Sequence, residues 1–182
     1  ALICHPDPQQ QGSMQNKVVT TLARSLQKQN INTLRFNFRG VGQSAGSYGN
    51  IQGEIDDALT ALAFGQQQFQ SQNYYLSGFS FGSYVAASLA TRYPCQGLIL
   101  VAPGVERFDF QALQQKLPTK TAIIQGLLDD IVSEDAVHNW VKQCPNSPLY
   151  FPANQAGHFF HGQLLPLEKM IQSAMERFAC QT

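Results

Sequence analysis

Residues 78–82, Gly-Phe-Ser-Phe-Gly, decide the fold because of what lies on either side of them. The residues before them, 74–79, have the pattern of a strand, and the small apolar residues 82–91 after them predict a buried helix. A serine between two such glycines, in a turn from strand to helix, is typical of an exposed nucleophile. The turn is sharp and strained, and glycines on both flanks remove side chains that would collide there. The alternative is an ordinary serine in an ordinary turn.

Short apolar runs alternate with segments of helical period along the chain, and this predicts a parallel sheet covered by helices on both faces. We expect one domain over 1–182, with the three layers of an α/β sandwich. Strands are predicted at 1–4, 33–38, 74–79, 97–101, 121–125 and 148–151. Helices are predicted at 16–29, 54–69, 82–91, from a cap at Ser133 through Cys144, and at 164–178.

Composition excludes several partners. Only 13% of the 182 residues are charged and the formal net charge is zero, so no basic stripe is available for nucleic acid or for an anionic membrane. The apolar runs are far shorter than the roughly 18 residues of a membrane span. The four cysteines lack CxxC spacing, which favours reduced thiols and a cytoplasmic location, with a single disulfide as the alternative.

A serine nucleophile needs a base and an acid, which follow it in the order serine, acid, histidine in folds of this kind. Asp129 and Asp130 come just after the strand predicted at 121–125. Active sites of parallel sheets form at the carboxyl ends of the strands, so either carboxylate is a candidate for the acid.

His158 is the candidate base, because it lies in the loop between the last strand and the terminal helix. His161 is the alternative base, and the two histidines could also form a metal pair, although no further ligand motif supports one. His138 lies inside a predicted helix and is expected at the surface or at the edge of the core. His5 follows the first strand and is expected to support a loop.

Two backbone N–H groups are needed to bind the oxyanion of a tetrahedral intermediate. Phe81 should supply one, since it directly follows the nucleophile at the start of a helix. The other normally comes from the loop after an earlier strand, here residues 5–8, His-Pro-Asp-Pro. Between the two prolines only Asp7 has an N–H to donate.

A glycine-rich stretch at residues 40–46, Gly-Val-Gly-Gln-Ser-Ala-Gly, follows a strand. It misses the dinucleotide-binding spacing by one residue, and no helix begins at its third glycine. We interpret it as a tight polar turn, and no cofactor is expected.

Together these residues resemble the α/β-hydrolase fold, and specifically the small lidless bacterial serine hydrolases related to dienelactone hydrolase. The similarity spans nearly the whole chain. It is carried by the following stretches: Cys4-His5-Pro6, Gly12-Ser13-Met14, Asn16-Lys17-Val18-Val19, residues 35–44, residues 53–58, the turn around Ser80, and residues 158–162.

The resemblance implies that Ser80 is the nucleophile, His158 the base and Asp129, rather than Asp130, the acid. This chain departs from the family pattern at two positions, with Asp7 in place of a second histidine and Leu127 in place of an acidic residue. The fold normally begins with strands that precede the one at Ala1, so N-terminal strands are expected to be missing.

Lidded relatives carry a cap domain in the interval that here spans only 102–120, so an open site without a cap is expected. Four phenylalanines are candidates for apolar walls of this site or for plain core: Phe108, Phe110, Phe159 and Phe160. The sequence thus predicts cleavage of short carboxylic esters or thioesters, small-molecule substrates, through an acyl-enzyme. An amidase or acyltransferase on the same triad and a non-catalytic binding protein are the alternatives.

Overall fold

The structure, a computed structural model, describes residues 1–180. Its centre is a six-stranded sheet in the order β2-β1-β3-β4-β5-β6, and every neighbouring pair of strands is parallel. The strands are β1 (Leu2–Cys4), β2 (Leu34–Arg35), β3 (Tyr75–Phe79), β4 (Gly97–Val101), β5 (Thr121–Gly126) and β6 (Leu149–Ala153). The predicted parallel sheet is therefore confirmed.

Helices cover both faces of the sheet. They are α1 (Lys17–Gln27), α2 (Gln52–Gln68), α3 (Phe81–Ala90), α4 (Gln111–Gln114), α5 (Glu134–Gln143) and α6 (Leu164–Cys180). Helices α1 and α6 pack with one half of the core, and α2, α3 and α5 pack with the other half. The three predicted layers are confirmed.

Strand β4 shows why the sheet is buried on both sides. Leu98 and Leu100 belong to the core under α3, whereas Ile99 and Val101 belong to the core under α1 and α6. Successive side chains of a strand point to opposite faces, so an uninterrupted apolar run is what a central strand covered on both faces requires.

Helix starts follow the capping residues that the sequence offers. The Asn16 side chain accepts a hydrogen bond from the Val18 N–H at the start of α1, and the Ser133 hydroxyl accepts one from the Ala136 N–H at the start of α5. Each satisfies an N–H that has no partner within its own helix. The predicted cap at Ser133 is therefore confirmed.

Strand β2 is shorter than predicted. The prediction of a strand over 33–38 is wrong beyond Arg35, because the backbone groups that follow bind side chains instead of a neighbouring strand. The N–H of Phe38 donates to the His5 ring, and the carbonyl of Asn37 accepts the Ser44 hydroxyl. The chain thereby leaves the sheet and turns toward α2.

The interval between β4 and β5 holds only the four-residue helix α4, so it contains no cap domain. Within residues 1–180, no helix combines the length and apolar character that crossing a membrane requires. All four cysteines lie in this part of the chain and are free thiols.

Candidate active site

Ser80 occupies the sharp turn between β3 and α3 in a strained conformation, with φ 53° and ψ −115°. A Cβ added to Gly78 would lie 2.1 Å from the carbonyl oxygen of Gly82. A Cβ added to Gly82 would lie 2.3 Å from the carbonyl oxygen of Cys4, at the end of β1. Both glycines are therefore required by backbone contacts, and the turn lifts the Ser80 hydroxyl above the carboxyl edge of the sheet.

The structure brings Ser80, His158 and Asp129 together. The Oγ atom of Ser80 lies 3.1 Å from Nε2 of His158, and Nδ1 of the same ring lies 2.9 Å from Oδ2 of Asp129. With Nδ1–H donating to the carboxylate, Nε2 is left free to accept the hydroxyl proton. The His158 ring also packs against Phe79, with ring centroids 5.0 Å apart, which fixes its plane.

Asp129 is held as a buried carboxylate. Burial alone would raise its pKa, but hydrogen bonds from His158 and from the N–H groups of Val132 and Ile131 outweigh burial and hold the pKa below its usual value. Its side chain is fully buried. Asp130, the alternative acid, is exposed and does not contact His158 within the described residues.

Gln125 was not singled out in the sequence. Its side-chain Nε2 lies 3.1 Å from Oδ2 of Asp129 and 3.2 Å from the carbonyl oxygen of Val132, so it ties the Asp129 carboxylate to the loop that carries it. The residue is completely buried near the end of β5, directly after three apolar residues. A buried amide in such a position needs polar partners. A glutamine near the end of a buried strand, a few residues before two aspartates, is therefore the sequence feature that could have indicated Gln125.

Two backbone N–H groups, those of Phe81 and Asp7, are the predicted donors to an oxyanion. Phe81 is the first residue of α3, directly after Ser80, and the N-terminus of a helix attracts negative charge. Asp7 lies three residues beyond Cys4, whose carbonyl packs against Gly82. Among residues 1–180, neither N–H has a hydrogen-bond acceptor.

His5 supports the loop that carries Asp7. Its Nε2 accepts the Phe38 N–H at 3.1 Å, so the proton is on Nδ1, which donates to the Pro6 carbonyl at 2.6 Å. Burial lowers the pKa of His5 to about 4, so the ring is neutral at pH 7. The expected supporting role of His5 fits these contacts, which join the Asp7 loop to the segment that follows β2.

Within residues 1–180, neither of the other two histidines hydrogen-bonds Ser80. His161 is exposed and packs against the Phe159 ring. His138 pairs with Glu134 one turn earlier on α5 and stacks on Tyr150, as expected for a histidine at the surface.

The four candidate wall residues divide into two pairs. Phe110 and Phe160 are fully buried core residues, so a wall role for them is wrong. Phe108 packs on Phe81 with ring centroids 5.5 Å apart, and Phe159 stands at 90° to the His158 ring and is 42% exposed. The apolar surface beside the candidate triad thus comes from Phe108 and Phe159.

The fold and this site define a serine hydrolase of the lidless α/β class. Residues 14–109 match the Hydrolase_4 family, described as serine aminopeptidase, S33. That match covers more than half of the chain, and the chain belongs to this family.

Individual proteins are similar to this chain over most of its length. An uncharacterized protein of Rickettsia prowazekii is 36% identical over 94% of this chain and 76% of its own length. An α/β serine hydrolase homologue from Coxiella burnetii is 40% identical, with a TM-score of 0.89, over 94% of this chain and 83% of that one. A serine hydrolase without lid from Xanthomonas campestris is 39% identical, with a TM-score of 0.91, over 97% of this chain and 80% of that one. The expected α/β-hydrolase fold without a cap is confirmed.

Proposed function

We propose that this chain hydrolyses short carboxylic esters or thioesters, with Ser80 as nucleophile, His158 as base and Asp129 as acid. One observation carries the proposal: a single imidazole lies within hydrogen-bond distance of both the Ser80 hydroxyl and the Asp129 carboxylate. A histidine held in this way by a carboxylate can remove the serine proton, which converts a weakly nucleophilic alcohol into an attacking group.

In the first half of the reaction, the Ser80 oxygen forms a bond to the substrate carbonyl carbon while its proton passes to Nε2 of His158. The carbonyl oxygen becomes an oxyanion, which the N–H groups of Phe81 and Asp7 bind. The intermediate then expels the alcohol or thiol, which takes the proton from His158, and an acyl-enzyme on Ser80 remains.

Water completes the cycle. His158 removes a proton from water as its oxygen attacks the acyl carbon, and the second tetrahedral intermediate expels the Ser80 oxygen, which recovers that proton. The products are a carboxylic acid and free enzyme. Asp129 stays ionised throughout and stabilises the imidazolium that forms in each half.

Short acyl groups are favoured by the surroundings of Ser80. The connection between β4 and β5 holds no cap domain, and the aromatic rings beside the proposed triad are those of Phe108 and Phe159. The loop that carries Asp129 also exposes two apolar side chains, Leu128 and Ile131. A small acyl or alkyl group can be held there without a lid.

Labelling with a fluorophosphonate tests the nucleophile. We expect the wild type to be labelled at Ser80 and to hydrolyse p-nitrophenyl acetate or butyrate, or the corresponding acyl thioesters. Ser80→Ala should lose both properties. A wild type that is not labelled and cleaves none of these substrates would contradict the proposal and favour a binding protein.

Amide cleavage is the second candidate, because the matched family is described as a serine aminopeptidase. Amino-acid p-nitroanilides belong in the same panel of substrates. Competing alcohols and amines in the ester assay distinguish acyl transfer from hydrolysis, since transfer yields a new ester or amide in place of the free acid. Faster cleavage of anilides than of esters would replace the ester assignment with the amidase.

We also propose a cytoplasmic location, on the ground that four cysteines without paired spacing suit a reducing compartment. Cell fractionation followed by immunodetection tests it. Recovery of the protein outside the cytoplasmic fraction would contradict this location.

A further inference from the structure

Arg107 reaches the loop that carries the second proposed oxyanion donor. It lies in the short connection between β4 and α4, and its Nη2 lies 3.4 Å from Oδ2 of Asp7, a residue 100 positions earlier in the chain. The Asp7 side chain is 11% exposed and the Arg107 side chain 56% exposed. A mostly buried carboxylate thus faces a guanidinium that remains open to solvent.

Each oxygen of the Asp7 carboxylate has one partner. Oδ1 accepts the Gln9 N–H at 2.8 Å, which caps the turn after Asp7, and Oδ2 faces Arg107. Within residues 1–180, Arg107 is the one basic side chain in an ion pair with Asp7. Removal of Arg107 would leave Oδ2 without a charged partner on a largely buried side chain.

The position of this carboxylate matters because the backbone N–H of the same residue is the proposed second donor to the oxyanion. Negative charge develops on that oxygen in the transition state, and a second negative charge nearby opposes it. A guanidinium beside the carboxylate offsets that repulsion. This problem is specific to a chain with an acidic residue at position 7.

Packing holds the guanidinium in place. Its central carbon lies 5.6 Å from the centre of the Phe108 ring, and that ring packs in turn on Phe81, next to the nucleophile. The neighbouring Glu106 accepts the Ser133 N–H at 2.9 Å. Consecutive residues therefore fasten this connection to the Asp7 loop on one side and to the start of α5 on the other.

We propose that Arg107 is a positioning residue for the oxyanion hole. It offsets the negative charge of the Asp7 carboxylate and holds the Asp7 loop so that its N–H can donate to the oxyanion. The inference rests on the proposed function, since it concerns the transition state of that reaction.

The test compares four variants with the wild type on the best p-nitrophenyl ester: Arg107→Gln, Arg107→Lys, the double variant Asp7→Asn with Arg107→Gln, and Arg92→Gln as an exposed control at the far end of α3. We measure kcat, KM, the melting temperature and inhibition by a trifluoromethyl ketone. That inhibitor forms a hemiketal oxyanion on the serine and so reports binding of the oxyanion.

We expect Arg107→Gln to lower kcat about tenfold with KM within twofold, and to weaken the inhibitor by a similar factor, because the lost interaction acts in the transition state. Arg107→Lys keeps the positive charge beside Asp7 but loses the planar guanidinium on the Phe108 ring, so its kcat should fall between those of Arg107→Gln and wild type. The double variant should recover most of the loss, since it removes the negative charge that Arg107 offsets. Arg92→Gln should match wild type, and melting temperatures should stay within about 2 °C.

Three outcomes would overturn the inference: an Arg107→Gln enzyme with wild-type kcat, a double variant no better than Arg107→Gln, or a loss of kcat that follows the melting temperature while inhibitor binding is unchanged. Each of these leaves an active wild type labelled at Ser80, and the proposed function survives. A wild type that is neither labelled nor active overturns both.

Discussion

The Nδ1 atom of His158 lies 2.9 Å from Oδ2 of Asp129, whereas the neighbouring Asp130 is exposed to solvent. The two carboxylates are adjacent in sequence, yet only one of them reaches the imidazole. Asp129 also fixes the turn that follows it, because its Oδ1 accepts the N–H groups of Ile131 and Val132. The Asp129 carboxylate thus shapes the loop on which it lies.

Substitution of the two carboxylates should separate their roles. Asp129→Asn should reduce kcat by on the order of 10⁴, because an amide in that place no longer selects the tautomer of His158 that accepts the serine proton. Asp130→Asn serves as the matched control and should retain kcat within about twofold, as is usual for an exposed residue. Steady-state kinetics on a p-nitrophenyl ester checks both. Equal losses in the two variants, or a larger loss in Asp130→Asn, would show that the acid is assigned to the wrong residue.

Gln125 should affect the rate through Asp129. Gln125→Glu has nearly the same shape but replaces the donor that faces Asp129 Oδ2 with a second carboxylate, so the acid loses a hydrogen bond and gains a like charge. We expect kcat at pH 8 to fall at least about tenfold, which corresponds to about 1.4 kcal/mol. Gln67→Glu, at the exposed end of α2, is the control. A Gln125→Glu enzyme with wild-type kcat at this pH would show that the amide does not support the acid.

The sequence sufficed to predict that Ser80 and His158 meet at one site, as the structure shows, because each is marked by local chemistry. The turn around Ser80 needs glycine at fixed positions, and its flanking strand and helix can be read from hydrophobic period. His158 follows from chain order, since the base lies after the last strand. Motifs of this kind reflect backbone geometry within a few residues, and a sequence records that directly.

Contacts between distant segments could not be predicted in the same way. Nothing in the sequence pairs Arg107 with Asp7, because that contact depends on how the connection after β4 crosses the edge of the sheet. The sequence also could not tell that Phe110 and Phe160 are core residues. An aromatic residue beside a site and one in the core have the same local sequence pattern. The early end of β2 depends on His5, whose ring accepts a hydrogen bond from the N–H of Phe38, 33 residues later in the chain.

Gly82 should be intolerant of any side chain. Gly82→Ala places a Cβ at 2.3 Å from the backbone oxygen of Cys4, and backbone cannot move aside as a flexible side chain can. We expect a loss of about 1–3 kcal/mol or more in the free energy of unfolding, as is typical of overpacking, together with loss of activity as the turn at Ser80 shifts. Urea denaturation measures the first effect.

Gly65→Ala provides the comparison for Gly82→Ala, because Gly65 lies within α2 and its added Cβ would meet only the end of the Leu34 side chain, at 3.3 Å. Alanine favours a helix over glycine by about 1 kcal/mol, so this variant should be as stable as wild type or more so. If Gly82→Ala proves as stable as Gly65→Ala, the close packing of β1 against α3 is refuted.

His5 should make stability depend on pH. Burial lowers its pKa from 6.5 to about 4, so in this window the unfolded chain binds a proton that the folded chain does not. Stability from this residue is therefore fully present above pH 6.5, falls as the pH drops toward 4, and then levels off. This lowering of the His5 pKa corresponds to a loss of up to about 3 kcal/mol in the free energy of unfolding. Urea denaturation of wild type and His5→Gln at pH 7 and pH 4.5 measures this loss.

The His5→Gln variant should be less stable than wild type at pH 7, since the Phe38 N–H loses the ring acceptor. Its free energy of unfolding should change less than that of wild type between the two pH values. If both proteins lose the same free energy on acidification, the acid sensitivity comes from other groups and not from His5.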